Sequence, residues 1–324
     1  MIVVQTPLRV SFLGGGTDFE DFYATNGGAV LSTAIDKCTF VIVKERFDDM
    51  IYVNYSKKEI VDKVDNLAHG LVREAMRMTG VDKGVEITTL ADVPSEGTGL
   101  GSSSSITVGL LQALHAYQGK SATAEDLARQ ACQIEIDILG KPIGKQDQYI
   151  SAYGNMRFIT FQSSGVEVEK IELTKEAKRK LNENLMLFYT GVTRQASQIL
   201  TVQKANIKNR LSVLREMAKL AFEAKDALIS ETFNEFGELL HHGWELKKQL
   251  SDNVTNAEIE GIYQAAREAG AIGGKITGAG GGGFLLLYCP TQVRDNVRAS
   301  LGRLRELPFH FQDDGSKVIF DYRR

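Results

Sequence analysis

Between Pro94 and Ser105 the chain reads Pro-Ser-Glu-Gly-Thr-Gly-Leu-Gly-Ser-Ser-Ser-Ser, and the apolar run Ile106 to Leu114 follows at once. Three glycines at alternate positions let the backbone turn tightly and present bare N–H groups. A helix opening at the serines adds the positive end of its dipole, and the hydroxyls can cap that helix or coordinate a metal that accompanies phosphate. Such a segment suits a chain of phosphates. A flexible Gly/Ser linker would not run straight into an apolar helix. The Walker-type Gly-x-x-x-x-Gly-Lys-Ser/Thr loop occurs nowhere in the chain.

At 324 residues the chain exceeds one ordinary core, and two domains are expected, residues 1–175 and 176–324. A formal charge of −3 gives no footprint for nucleic acid. The basic residues Lys204, Lys208 and Arg210 read as a solvated helix face. Cys38, Cys132 and Cys289 lie far apart, so neither a disulfide framework nor a zinc site is expected. The start Met1-Ile2-Val3-Val4-Gln5 has no basic leader region, and no apolar run approaches membrane-spanning length. A cytoplasmic protein is the expectation, with no nucleic-acid or membrane partner, and a homodimer is compatible with it.

Strands are expected at Ile2–Val4, Val10–Leu13, Thr39–Lys44, Ile51–Asn54 and Val85–Thr89. Helices are expected at Leu67–Met78, Ser103–His115 and Ala124–Leu139, the last capped by Thr123. Met156–Phe161 and Val166–Glu172 form a hairpin pattern, and Leu185–Tyr189 is a further strand. Residues 194–250 and Ala257–Ala269 read as helical, Phe284–Tyr288 as strand, Gln292–Leu304 as helix and Val318–Tyr322 as strand. The mixture is α+β.

Two further glycine-rich segments stand near the chain ends: Pro7-Leu8-Arg9-Val10-Ser11-Phe12-Leu13-Gly14-Gly15-Gly16-Thr17-Asp18, and Gly273-Gly274-Lys275-Ile276-Thr277-Gly278-Ala279-Gly280-Gly281-Gly282-Gly283. The last contains Gly-x-Gly-x-x-Gly, but a dinucleotide site needs a strand before it and a helix after it. Here a helix is expected before and a strand after. A third constellation runs from Glu135 to Tyr149, where a carboxylate on a helix is followed by a Gly/Pro turn and then Asp147. Phosphoryl transfer needs a divalent cation and a carboxylate that orients or deprotonates the attacking hydroxyl, and this pair could supply both. Asp137, two positions beyond Glu135, faces another side of the helix.

Together the three glycine-rich segments resemble the signatures of the GHMP small-molecule kinases, in the same order. That resemblance implies a two-domain fold, with a ribosomal S5 domain 2-like N-terminal domain and a ferredoxin-like α/β C-terminal domain. It implies ATP bound by Gly97, Gly99, Leu100, Gly101, Ser102, Ser103 and Ser104, and Mg2+ held by Ser103 and Glu135. Asp147 would be the base, assisted by Arg9. Asp18, Gly15, Gly16 and Thr17 would bind the substrate, as would Gly280 and Gly281 in the turn that shapes the cleft. Lys145 would touch phosphate or lower the pKa of Asp147.

Galactokinases carry Gly-Glu-His-Thr-Asp where this chain has Gly14-Gly15-Gly16-Thr17-Asp18, which points away from galactose. With Gly144 to Tyr149 and Phe188 to Arg194, the segment looks most like the D-glycero-D-manno-heptose 7-phosphate kinases. These phosphorylate the anomeric hydroxyl of a sugar already bearing a distal phosphate, for surface polysaccharide. A second anion site is then needed, for which Thr193 and Arg194 are candidates, with Lys275 a further one. Other readings stay open: the same chemistry on a free hexose, fucose or phosphomevalonate, a decarboxylase of the same fold, or a non-catalytic sugar sensor. His241, His242 and Trp244 lack a third ligand at metal spacing and read as helix packing.

Overall fold

Apolar and β-branched residues dominate the first 45 positions, and in the computed structural model they form two long strands. The structure describes residues 1–94, 97–192 and 196–322. β1 (Ile2–Leu13) is followed by a short helix, α1 (Glu20–Asn26), and by β2 (Gly28–Glu45). The two patches expected within β1 are one strand through Pro7. Pro7 is tolerated because the pairing with β2 shifts register there, while the C-terminal strand on the other side pairs only up to Gln5. β2 begins eleven residues before the expected Thr39. Its first eight residues are all buried, so they carry no period-two signal.

The chain continues through β3 (Ile51–Asn54), β4 (Lys58–Val61), α2 (Gly70–Thr79) and β5 (Val85–Ala91). The phosphate-type loop leads into α3 (Ser102–Tyr117), which is buried on nearly every side. α4 (Ala124–Cys132) opens with a Thr123–Asp126 capping box, then widens into π-helical turns over Gln133–Ile138. α5 (Gln146–Tyr153), unexpected from sequence, precedes the hairpin of β6 (Met156–Gln162) and β7 (Gly165–Lys170). β5, β1 and β6 all pair with β2, and β3 pairs parallel with β5.

Next come α6 (Lys175–Glu183), β8 (Leu185–Tyr189), α7 (Ala196–Asn206), α8 (Leu211–Ile229), α9 (Phe233–Lys248) and α10 (Ala257–Glu268). β9 (Gly273–Ile276), β10 (Phe284–Tyr288), α11 (Arg294–Ser300) and β11 (Arg305–Glu306) follow, giving a second sheet in the order β11-β8-β10-β9. The last strand, β12 (Lys317–Asp321), returns to the first sheet and pairs with β1. The segment expected to lie wholly in the second half therefore ends in the first sheet.

The glycine run after β9 is preceded by a strand, not by the expected helix. The strand β10 behind it still rules out a dinucleotide turn.

One apolar cluster packs α2 to α5 on the first sheet. A second joins Leu8, Val10 and Phe12 of β1 to Leu220 of α8, Phe236 of α9 and Leu286 of β10, so the two sheets share a core. Trp244 is fully buried, as expected of packing, and His241 is hydrogen-bonded to the Tyr263 hydroxyl.

Candidate active site

The glycine-rich loop before α3 and the glycine-rich turn after β9, far apart in sequence, touch backbone to backbone. A Cβ at Gly99 would sit 2.5 Å from the Thr277 carbonyl oxygen, and one at Gly278 would sit 2.6 Å from the Gly99 Cα. The Thr277 hydroxyl donates to the Thr98 carbonyl at 3.1 Å. Residues 97–101 thus lie against the turn after β9, and α3 begins at Ser102. A cavity of about 160 Å³ there is lined by Gly97 to Ser104, Lys141, Gly280 and Gly282. All seven residues expected at the phosphate chain line it, although the Leu100 side chain itself is buried in the core.

Arg9 on β1 and Asp147 on the first turn of α5 line this cavity and also a second one, about 70 Å³, on the other side. Arg9 Nε donates to Asp147 Oδ1 and Nη2 to Oδ2, both at 2.7 Å, while Nη1 donates to the Gly99 carbonyl at 2.6 Å. This bidentate clamp fixes the carboxylate plane and ties it to the glycine loop. Asp147 stands at the junction of the two cavities.

The second cavity holds Asp18, Gly15 and Gly16 from the segment after β1, together with Ser11, Gln146, Gln203 and Lys247. Asp18 is buried and accepts from the Gly16 N–H at 2.9 Å and the Gln146 N–H at 3.1 Å. Burial pushes its carboxyl above the ordinary range; those N–H donors work against the rise and the nearby Asp147 adds to it. Gly144 makes room for it: a Cβ there would lie 2.0 Å from Asp18 Oδ2.

Glu135 sits in the π-helical segment with no exposed surface. Its Oε1 accepts from the Ser103 hydroxyl at 2.5 Å and from Lys141 Nζ at 2.9 Å, and its Oε2 accepts from Gln148 Nε2 at 2.8 Å. Lys141 also donates to Ser103 Oγ at 2.6 Å. Ser103 and Glu135 therefore present two hard oxygen donors side by side at the end of the glycine loop, the donor chemistry of Mg2+. The neighbouring Ser102 hydroxyl is buried without a partner among the described residues. The residues fit the ion.

Several expected roles are not what the geometry gives. Thr17 is fully buried and lines neither cavity; its hydroxyl bonds the Gly14 and Ala29 carbonyls and the Ala29 N–H, bracing the turn. Lys145 donates to the Tyr23 hydroxyl at 2.6 Å and lines a separate recess with Lys204, away from Asp147. Gly280 faces the loop cavity rather than the Asp18 cavity, and the Gly281 N–H is spent on the Val254 carbonyl at 2.7 Å. Lys275 is buried beneath the site with its Nζ on the Ser11 carbonyl, and burial drives its pKa well down. Thr193 and Arg194 lie outside the described residues.

Sequence reasoning missed Lys141, Gln148 and Lys247. Lys141 and Gln148 lie inside the Glu135–Tyr149 segment, but their convergence on Glu135 is tertiary. Lys247 occupies the buried stripe of α9 that also carries Leu240, Gly243 and Trp244. A lysine on an otherwise apolar stripe was the available signal.

The sequence carries the GHMP kinases N terminal domain over residues 66–155 and the GHMP kinases C terminal domain over residues 224–304. It is 31% identical to the D-glycero-alpha-D-manno-heptose 7-phosphate kinase of Campylobacter jejuni, over 92% of both chains. It is 28% identical to a mevalonate kinase of Thermococcus onnurineus, over 85% of this chain and 80% of that one. The fold matches the crystal structure of a D-glycero-D-manno-heptose 1-phosphate kinase from Bacteriodes thetaiotaomicron with a TM-score of 0.83, 25% identity and full coverage of both chains. With two glycine loops in contact, a carboxylate clamped between two cavities and these relationships, the chain belongs to the GHMP kinase family, phosphotransferases with an alcohol group as acceptor.

Proposed function

We propose that the protein transfers the γ-phosphoryl group of ATP to the anomeric hydroxyl of D-glycero-D-manno-heptose 7-phosphate, giving the 1,7-bisphosphate for nucleotide-activated heptose. The observation that carries this reading is the place of Asp147, on the wall shared by the glycine-loop cavity and the Asp18 cavity. A donor phosphate on one side and an acceptor hydroxyl on the other would meet at that carboxylate. The 31% identity to the Campylobacter enzyme supports the choice of acceptor.

Backbone N–H groups of residues 97–103 and the start of α3 hold the phosphate chain. A cavity of about 420 Å³, which has Lys141 in common with the loop cavity and is lined also by Tyr55, His69, Leu90 and Ile106, receives the base and ribose. Ser103 and Glu135 would hold Mg2+, which when bound neutralises charge on the transferring group. Asp147 accepts the proton of the anomeric hydroxyl as its oxygen bonds to the γ-phosphorus. The bond from that phosphorus to the bridging oxygen breaks, and ADP leaves with the electron pair. Arg9 keeps the carboxylate aimed throughout, and Asp18 accepts from sugar hydroxyls.

The test is ADP release with ATP and Mg2+ across heptose 7-phosphate, heptose 1-phosphate, fucose, galactose, mannose and phosphomevalonate. Turnover confined to heptose 7-phosphate is expected. Equal or better turnover on another acceptor overturns the assignment, and binding of a sugar without any turnover would favour a sensor.

A further inference from the structure

Lys247, on the last turn of α9, is the cation in the acceptor cavity that the phosphoryl chemistry just described does not use. It is 4% exposed, and its ammonium donates to the Gly278 carbonyl, its partner among the described residues. An ammonium has three donors, and holding one in a buried site is expensive unless they are met. Burial pushes Lys247 down to about 8, and Arg9 adds to that fall, while the carboxylates of Asp18 and Asp147 oppose it. Helix packing alone would place an apolar side chain here, as it does at Leu240 and Trp244.

The same cavity contains two further buried polar atoms without partners among the described residues: the Ser11 hydroxyl, on a residue 2% exposed, and Gln146 Oε1. Native structures rarely leave such atoms unmet, and each points to something that satisfies it. Their arrangement is informative. Ser11 lies on β1 two residues from Arg9, Gln146 precedes Asp147, and Lys247 faces both from α9 across the cavity. The unmet groups therefore surround the reacting position from three elements, on the side away from the glycine loop. A lone alcohol on an aliphatic chain would satisfy one of them. A sugar ring, with oxygens on the carbons next to the reacting one, can satisfy all three.

We infer that Lys247 and Ser11 are specificity-determining residues that hydrogen-bond acceptor oxygens other than the one phosphorylated, and so select polyhydroxylated ring acceptors over simple alcohols. The inference rests on the kinase reading above but not on heptose being the acceptor. Because these contacts are to ground-state oxygens present throughout the reaction, their loss appears in acceptor KM and not in kcat.

The experiment measures kcat and both KM values for the wild type, Lys247→Met and Ser11→Ala, using the best acceptor of the panel. Lys247→Met keeps the apolar stem and removes the donors; the expected result is a rise of about 10- to 100-fold in acceptor KM, with kcat and ATP KM within about twofold. Ser11→Ala removes a hydroxyl that has no partner among the described residues, so it leaves stability alone; a rise of about three- to tenfold in acceptor KM is expected. If Lys247→Met does not fold, Ser11→Ala decides. Unchanged acceptor KM in Ser11→Ala, or in a folded Lys247→Met, overturns the inference. Should the wild type prefer another sugar, the heptose assignment falls while the KM comparison, run on that sugar, still decides the role of Lys247.

Discussion

At the scale of single residues the site depends on two charged groups, the partly exposed Asp147 and the buried Lys247, held by opposite devices. Asp147 is clamped by Arg9 through paired bonds of 2.7 Å, so Asp147→Asn keeps most of the shape and removes the proton acceptor. Its kcat should fall about 100- to 10,000-fold with acceptor binding retained, as read by steady-state kinetics beside calorimetry. A variant retaining more than a tenth of wild-type kcat would exclude Asp147 as the base. Lys247 has no such clamp. With its folded pKa lowered from 10.5 to about 8, the unfolded chain binds a proton that the folded chain lacks between those values. Stability of the wild type relative to Lys247→Met should therefore rise with pH from about 8 to about 10.5, by up to about 3 kcal/mol, and stay level below 8. Denaturant midpoints across that window check the sign; a level difference would show that the ammonium is not desolvated. Gly144→Ala would drive a methyl into Asp18, so acceptor KM should rise and stability fall by about 1–3 kcal/mol in thermal unfolding.

At the scale of elements the carboxylate proposed to hold Mg2+ is carried by an irregular piece of an otherwise regular helix. Glu135 sits where α4 loosens into π-helical turns, and π-bulges often mark functional positions. Its carboxylate is buried and held by Ser103, Lys141 and Gln148, each from a different part of the chain. Gln148→Ala removes one charge-assisted bond and should destabilise by about 2–3 kcal/mol, measurable by chemical denaturation; a loss below about 0.5 kcal/mol would mean that water replaces the amide. These elements also show how far sequence carries. Arg9, Ser103, Glu135 and Asp147 were legible as candidates because each lies in a short glycine- or carboxylate-bearing segment with its own pattern, and the structure brings those segments together. The buried half of β2, the strand β9 built on Gly273 and Gly274, and α5 were not. A strand buried throughout shows no alternation, glycines argue against a strand, and α5 follows a Gly/Pro turn with no capping signal. Thr17 and Lys145 were misplaced for a related reason. Their side chains turn to Ala29 and Tyr23, neighbours that only the folded chain supplies.

At the scale of the whole molecule, the chain crosses between its two sheets and returns. β12 pairs with β1, the strand that carries Arg9, and the Thr6 and Ser316 hydroxyls bond at 2.8 Å near the same edge. Between the sheets, α7 contributes Leu200 and Gln203 to the wall of the acceptor cavity. A heptose phosphate is larger than the roughly 70 Å³ of that cavity, and if it is the acceptor an outward shift of α7 on its entry is the expected outcome. Hydrogen exchange in residues 196–206 should change on acceptor binding while α3 stays protected; unchanged exchange in α7 would place the acceptor's route elsewhere. The proposed function stands on which hydroxyl is phosphorylated, and Asp147 lines both the loop cavity and the Asp18 cavity. The most direct measurement is phosphorus–proton correlation NMR of the product formed from heptose 7-phosphate and ATP. A new phosphorus resonance coupled to the anomeric proton is predicted. A new phosphate coupled to any other carbinol proton, or no second phosphate at all, would contradict the account.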